Sequence, residues 1–125
     1  MVLVDTSVWI DHLRKGEPAL VRLLEDDQVF GHRWVTGELA LGSLKDRNSV
    51  LEMLDVLPKV EAVPETEVMN LIDRRGLFQR GIGWVDAQLL AACVARPCRL
   101  WTKDKRLSEI AAELGVAWEP VAKGI

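Results

Sequence analysis

Only two cysteines and two histidines stand among the 125 residues, and that scarcity closes several routes at once. Cys93 and Cys98 match neither a disulfide framework nor a zinc knuckle, both of which need more ligating residues at set spacings. Cys93 falls on the apolar face of an expected helix and reads as a buried free thiol. A reducing compartment, the cytoplasm, is the default that goes with such usage. No apolar run reaches the ~20 residues that cross a bilayer, so no membrane partner is expected. The first residues carry no basic leader and no small-residue cleavage site. Repeats, low-complexity tracts and linkers are missing too.

What is present is an ordinary globular composition. Residues that are 49% hydrophobic and 28% charged suit one folded domain over 1–125. That length buries about 65–70% of the surface an unfolded chain exposes. The net charge of −3 argues mildly against a general nucleic-acid binder. This balance is conditional, because neutralising four of the 19 acids would leave the 16 basic residues in slight excess. Charge alone therefore does not exclude a polyanionic substrate.

Along the chain, short strands alternate with helices. Val2–Val4 reads as a strand, followed by a helix over Ser7–Arg14. Gly16-Glu17-Pro18 breaks the chain and opens a second helix, with Pro18 in its first turn. Asp26-Asp27-Gln28 is a turn, Val29–Gly31 a short strand and Val35–Ser43 a helix. Asn48 is the expected cap of a helix over Ser49–Leu57, which Pro58 ends. Val60–Val63 is a further candidate strand, and Pro64 opens a helix over Glu65–Arg75. The glycine-spaced loop RRGLFQRGIG leads into the helix WVDAQLLAACVA. Then CRLWT reads as a buried strand, DKRLSEIAAEL as a helix stopped by Gly115, and VAWEP as a last strand. This alternation predicts an α/β fold with a largely parallel sheet and helices on both faces. Core packing is expected for most of the five tryptophans, Trp34, Trp84, Trp101 and Trp118 among them. Trp9, on the first helix, is a candidate to face a partner.

In sheets of this kind, ligands bind beyond the carboxyl ends of the strands. Asp5, in MVLVDTSVWI, and Asp104, in LWTKDKRL, both follow such an end. Each has a plain alternative as a helix N-cap, and Thr6, Ser7 and Thr102 beside them are also capping types. Two more acids stand out by angle, since each helical residue advances about 100°. With Asp86 at zero, Leu89 and Cys93 fall about 60° and 20° to one side, and Leu90 and Val94 about 40° and 80° to the other. Asp86 thus occupies the centre of an apolar stripe. Glu38 lies between Leu41 on one side and Val35 and Leu39 on the other, and is expected to project inward. Asp55 and Asp73 group with polar neighbours and read as solvated.

An inward carboxylate is costly unless it is paired, hydrogen-bonded or bound to metal. Capping is the alternative for Asp86, and a buried salt bridge to an arginine is the alternative for Glu38. Gly37 and Gly42 beside Glu38 suggest close packing or a cramped site. If the four acids converge, carboxylates without histidine or cysteine suit Mg²⁺ or Mn²⁺. Such cations can generate a nucleophilic hydroxide and stabilise the leaving oxygen of a phosphodiester. Thr6, Ser7 and Thr102 would orient water or phosphate. Arg74, Arg75, Arg80, Lys103, Lys105 and Arg106 lie near this edge in sequence, where they could steer RNA phosphates or simply solvate helix ends.

Taken in order, VDTSVWI, GEL, GIGWVDAQLLAA and LWTKDKRL resemble a PIN domain, specifically the VapC toxins of bacterial and archaeal toxin–antitoxin pairs, over essentially the whole chain. The resemblance implies a PIN-like three-layer α/β/α sandwich with a short, mainly parallel central sheet. It places Asp5, Glu38, Asp86 and Asp104 at the family's acidic metal-binding and catalytic positions, with Thr6 or Ser7 and Thr102 as supporting hydroxyls. It further implies a Mg²⁺- or Mn²⁺-dependent endoribonuclease, usually a homodimer. A VapB-type antitoxin would inhibit it in a toxin–antitoxin hetero-oligomer, wrapping the toxin and blocking the site.

Three other readings compete. A metal-independent ribonuclease would use His12 and His32 as base and acid, although nothing in the sequence places them together. A phosphotransfer or phosphatase domain with Asp5 as nucleophile lacks its second acid, because Ser7 holds that position. A catalytically silent PIN-like module for binding or transcription control would keep the same residues.

Overall fold

Val2–Val4 (β1) is buried at every position, as expected of a strand covered on both faces. The computed structural model describes residues 1–121. β1 is the middle strand of a three-stranded, all-parallel sheet, between Val29–Phe30 (β2) and Arg99–Trp101 (β3). Val2 pairs with Val29 and Arg99, and Leu3 with Phe30 and Leu100. Helices pack on both faces, giving the three-layer α/β/α sandwich. The chain leaves β1 toward β2 on one side and returns to β3 on the other. The carboxyl end of β1 is therefore the point where the strand order reverses, the usual ligand crevice of such sheets.

Seven helices are built around this sheet among the described residues: Thr6–Lys15 (α1), Pro18–Glu25 (α2), Arg33–Leu41 (α3), Arg47–Val56 (α4), Glu65–Arg75 (α5), Trp84–Ala95 (α6) and Lys105–Glu113 (α7). α5 and α6 have the expected bounds. α5 carries Glu65 and Glu67 in its first turn and Arg74 and Arg75 in its last, both complementing the helix dipole. Gly76 then ends it at φ 62°, a left-handed conformation that favours glycine. α6 is buried continuously from Ala87 to Cys93 and is the central helix of the core.

Several expectations are corrected. α4 begins before Asn48, with Asp46 at the N-cap position in a left-handed conformation. Residues 60–63 form no strand. The Gly31 carbonyl accepts from the Val60 N–H at 3.0 Å, and only Gly31 and Lys59 bridge. Pairing stops there because β2 ends and the chain turns into α3 at His32, leaving no backbone to continue the ladder. The last expected strand, 116–120, likewise reduces to one bridge between Leu100 and Ala117, since β3 itself has only three residues. Trp9 is fully buried and belongs to the core. Trp101 is buried and its ring centroid lies 4.8 Å from that of Trp118, whereas Trp34 and Trp84 are exposed.

Candidate functional site

Asp5 follows β1 directly, and its N–H donates to the Trp101 carbonyl at 2.9 Å, which locks it to the end of β3. It sits at the N-cap position of α1, yet its side chain accepts no N–H from that helix. Instead, Asp5 Oδ2 accepts two hydroxyls, Ser7 Oγ and Thr102 Oγ1, each at 2.7 Å. The residue is only 5% exposed. The capping alternative therefore fails for Asp5. The two hydroxyls are themselves fixed: Ser7 Oγ accepts the Lys103 N–H at 3.0 Å, and Thr102 Oγ1 accepts the Asp104 N–H at 3.1 Å. Both hydroxyl donors act on one oxygen.

Asp86 stands at the third position of α6 and is half-buried. Its Oδ2 accepts the Gly83 N–H at 3.0 Å, so the capping alternative holds for one of its oxygens. Its pKa is raised. Burial is the main cause, the Gly83 bond opposes it, and the charges of Asp5, Asp104 and Glu38 add to it. All three other acids thus lie close enough to act on Asp86, and no lysine or arginine among the described residues offsets them.

Asp104 is exposed and is a true N-cap, its Oδ1 accepting the Leu107 N–H at 3.0 Å. Glu38 is a correction. It does not project into the core but is exposed, with Oε1 accepting Thr6 Oγ1 at 2.7 Å. The apolar arc around it includes Leu41, which is 91% exposed. The buried side of α3 is Val35 and Leu39, so Glu38 stands at the rim of the groove between α1, α3 and α4. No arginine pairs with it among the described residues.

The four acids share one field without meeting at a point: among the described residues no three acids, histidines or cysteines close as metal ligands do. The donors are all oxygen, which suits a hard divalent cation. Repulsion at Asp86 is the strain that such a cation would relieve.

The basic residues divide. Arg80 makes a two-pronged pair with Glu113, with Nη1 to Oε1 at 3.2 Å. Lys103 pairs with Asp11 at 2.8 Å and with Glu17. Arg75 donates to the Glu113 carbonyl at 3.5 Å. Arg106 lies over Gly81, where a Cβ would meet its side chain at 2.7 Å. Gly81 is favoured by its backbone, at φ 82°, whereas the exposed Arg106 side chain can move aside. Arg74 lines a groove between α5 and α6 with Val94 and Ala95, toward the end of α6 opposite Asp86. Lys105 is exposed on the first turn of α7, beside Asp104. Sequence reasoning misses Asp11, Glu17 and Glu113, which neutralise two of these cations. Their partners are 33 to 92 residues away, a separation that no local pattern reports.

Of the two histidines, His32 is not suited to shuttle protons. His32 is fully buried at the N-cap of α3, where Nδ1 accepts the Trp34 N–H at 3.1 Å. Burial, with the charge of Arg33, lowers its pKa to about 4. His12 Nδ1 accepts the Glu17 N–H at 3.1 Å.

A family model described as PIN domain matches residues 2–113. Ribonuclease VapC32 of Mycobacterium tuberculosis, from strain CDC 1551 / Oshkosh and from strain ATCC 25618 / H37Rv, is similar to the chain. Each is 51% identical over 118 residues, which cover 94% of this chain and 95% of the relative. No helix among the described residues is long and apolar enough to cross a membrane.

Proposed function

We infer, since the chain belongs to the PIN-domain family and is of the VapC toxin type, that it is a Mg²⁺- or Mn²⁺-dependent endoribonuclease. Its substrate is an RNA phosphodiester, its setting the cytoplasm, and its inhibitor a VapB-type antitoxin. We assign it to a homodimer that joins the antitoxin in a hetero-oligomer. The observation that carries the reading is the edge where strand order reverses: Asp5 is buried there on the hydroxyls of Ser7 and Thr102, and the pKa of Asp86 is raised first by burial and then by the charges of Asp5, Asp104 and Glu38.

Asp5, Glu38, Asp86 and Asp104 are the residues that would hold the cation. Bound there, a divalent ion supplies a nucleophilic hydroxide and stabilises the leaving oxygen. The chain's own part is positioning. Ser7 and Thr102 occupy Asp5 Oδ2 and so fix how its other oxygen is presented. The Gly83 N–H does the same for Asp86, and Thr6 orients Glu38. A raised pKa means that protons compete for Asp86, so activity falls as the medium becomes acidic. Lys105 and Arg106 are the cations best placed to meet phosphate. Arg75, Arg80 and Lys103 order the surrounding loops before they meet RNA, and Arg74 has the weakest claim.

The test is cleavage of RNA by the purified protein with and without EDTA, beside growth of cells that express it. We expect cleavage to stop in EDTA and return with Mg²⁺ or Mn²⁺. Asp5→Asn and Asp86→Asn should each abolish growth inhibition while the protein stays folded. Cleavage that survives EDTA and is lost in His12→Ala would overturn the metal mechanism. A wild-type protein that harms no host and cuts no RNA would favour the silent binding module.

A further inference from the structure

The junction of α6 and β3 holds a feature remote from the acidic edge. Cys93 and Cys98 are both free and buried, and their Sγ atoms stand 3.4 Å apart. The Arg96 carbonyl accepts the Cys98 N–H at 2.8 Å, which folds the intervening segment into a tight turn. The backbone itself therefore holds the sulfurs together. Burial alone would be ordinary, because free cysteine packs as a small hydrophobe. Two further observations separate this pair from packing.

First, an open cavity of about 620 Å³ is lined by both cysteines together with Pro97, Arg99, Gly115 and Trp118. The cavity thus opens beside both residues that carry the sulfurs. Second, the two thiols hold their protons unequally. The bond to Cys98, together with burial, pushes the Cys93 thiol up, and the same bond brings Cys98 below the ordinary thiol range. The thiolate is the reactive form of cysteine, and Cys98, at 6% exposed against 3% for Cys93, is the more accessible sulfur-bearing residue, which makes it the nucleophile and Cys93 the resolving partner.

We propose that Cys93 and Cys98 are a redox site, closing to a reversible disulfide when the protein meets a small hydroperoxide such as hydrogen peroxide. Cys98 Sγ attacks one peroxide oxygen, the O–O bond breaks, and the departing hydroxide takes up a proton to leave as water. Cys98 is then a sulfenic acid. Cys93 Sγ attacks Cys98 Sγ, the S–S bond forms, and the sulfenic hydroxyl leaves with the Cys93 proton as a second water. The thiol pair supplies both electrons that reduce the peroxide, and exchange with a small thiol restores the dithiol. The bond ties the far end of the helix that carries Asp86 to the start of the strand that leads to Thr102. It touches no acidic residue and does not rest on the ribonuclease reading.

The whole protein is treated with hydrogen peroxide, alkylated in denaturant and digested with trypsin. Both cysteines fall in one peptide, residues 81–99, because trypsin does not cut the Arg96–Pro97 bond, and this peptide has no methionine to confuse the mass. We expect the peptide to lose two hydrogens, to take up no alkyl group, and to regain double alkylation after dithiothreitol. The melting temperature should rise on oxidation in the wild type and stay unchanged in Cys98→Ser. A peptide still doubly alkylated after peroxide would overturn the proposal. So would one that gains oxygen without losing the two hydrogens, or a cross-link found only between chains.

Discussion

Each of the three strands runs straight into a helix, and the three exits are built differently. After β2, His32 accepts the Trp34 N–H of α3; after β3, Asp104 accepts the Leu107 N–H of α7. After β1, Asp5 holds the equivalent place and caps nothing. A capping bond contributes about 1 kcal/mol to a helix, and α1 goes without it. Asp5 is also the most buried of the four acids, in a place where a carboxylate needs partners. Its partners, Ser7 and Thr102, serve the carboxylate and not the helix. Position after a strand therefore does not fix what an acid does. The neighbouring hydroxyls do.

The contrast can be broken most severely at Asp5. Asp5→Asn keeps the shape of the side chain and removes its charge. RNA cleavage should fall by more than about 100-fold, beyond what loss of a supporting partner costs a metal site, with the melting temperature nearly unchanged. An equal loss of helix content by circular dichroism would instead make Asp5 structural. Thr102→Val removes one of the two hydroxyls without changing volume. Cleavage at limiting Mg²⁺ should drop about 10- to 100-fold and recover in excess Mg²⁺. No change would mean that the hydroxyl does not position Asp5.

At Asp104 the two roles can be pulled apart. Asp104→Ala loses the cap and should destabilise by about 1 kcal/mol, whereas Asp104→Asn keeps a capping oxygen and should not. Reduced cleavage in the asparagine variant, at unchanged urea midpoint, would isolate the charge from the cap. The smallest effect near neutrality is expected at His32, whose folded pKa of about 4 lies below its ordinary 6.5. The unfolded chain then binds the proton more readily. Stability is greatest above the unfolded value and declines as pH falls through 6.5 toward 4. His32→Asn should flatten that decline in urea midpoints, and a slope identical to wild type would remove His32 as its source.

Local sequence carries much of this architecture. α5 and α6 are readable to the residue because acids, bases, glycine and tryptophan mark their ends. Asp5 and Asp104 are visible from strand-end position alone. Glu38 misleads because hydrophobicity is not burial: Leu41 is apolar and exposed, which makes the arc around Glu38 wider than the face α3 buries. Trp9 misleads in the opposite sense, since a candidate to face a partner occupies the buried side of α1. The residues that neutralise Lys103 and Arg80 have no local signature, because tertiary folding alone brings them together.

The bond from Thr102 to Asp5 joins residues 97 positions apart. Its span sets a timetable for synthesis. The central strand of the sheet emerges from the ribosome first, but one of its two neighbours, β3, comes only in the last quarter of the chain. Contacts this distant form late, because a long loop must close before they repay its entropy. A growing chain thus carries Asp5 for most of its synthesis without the Thr102 hydroxyl that donates to it. The network around Asp5 is therefore completed only once nearly the whole chain has been made.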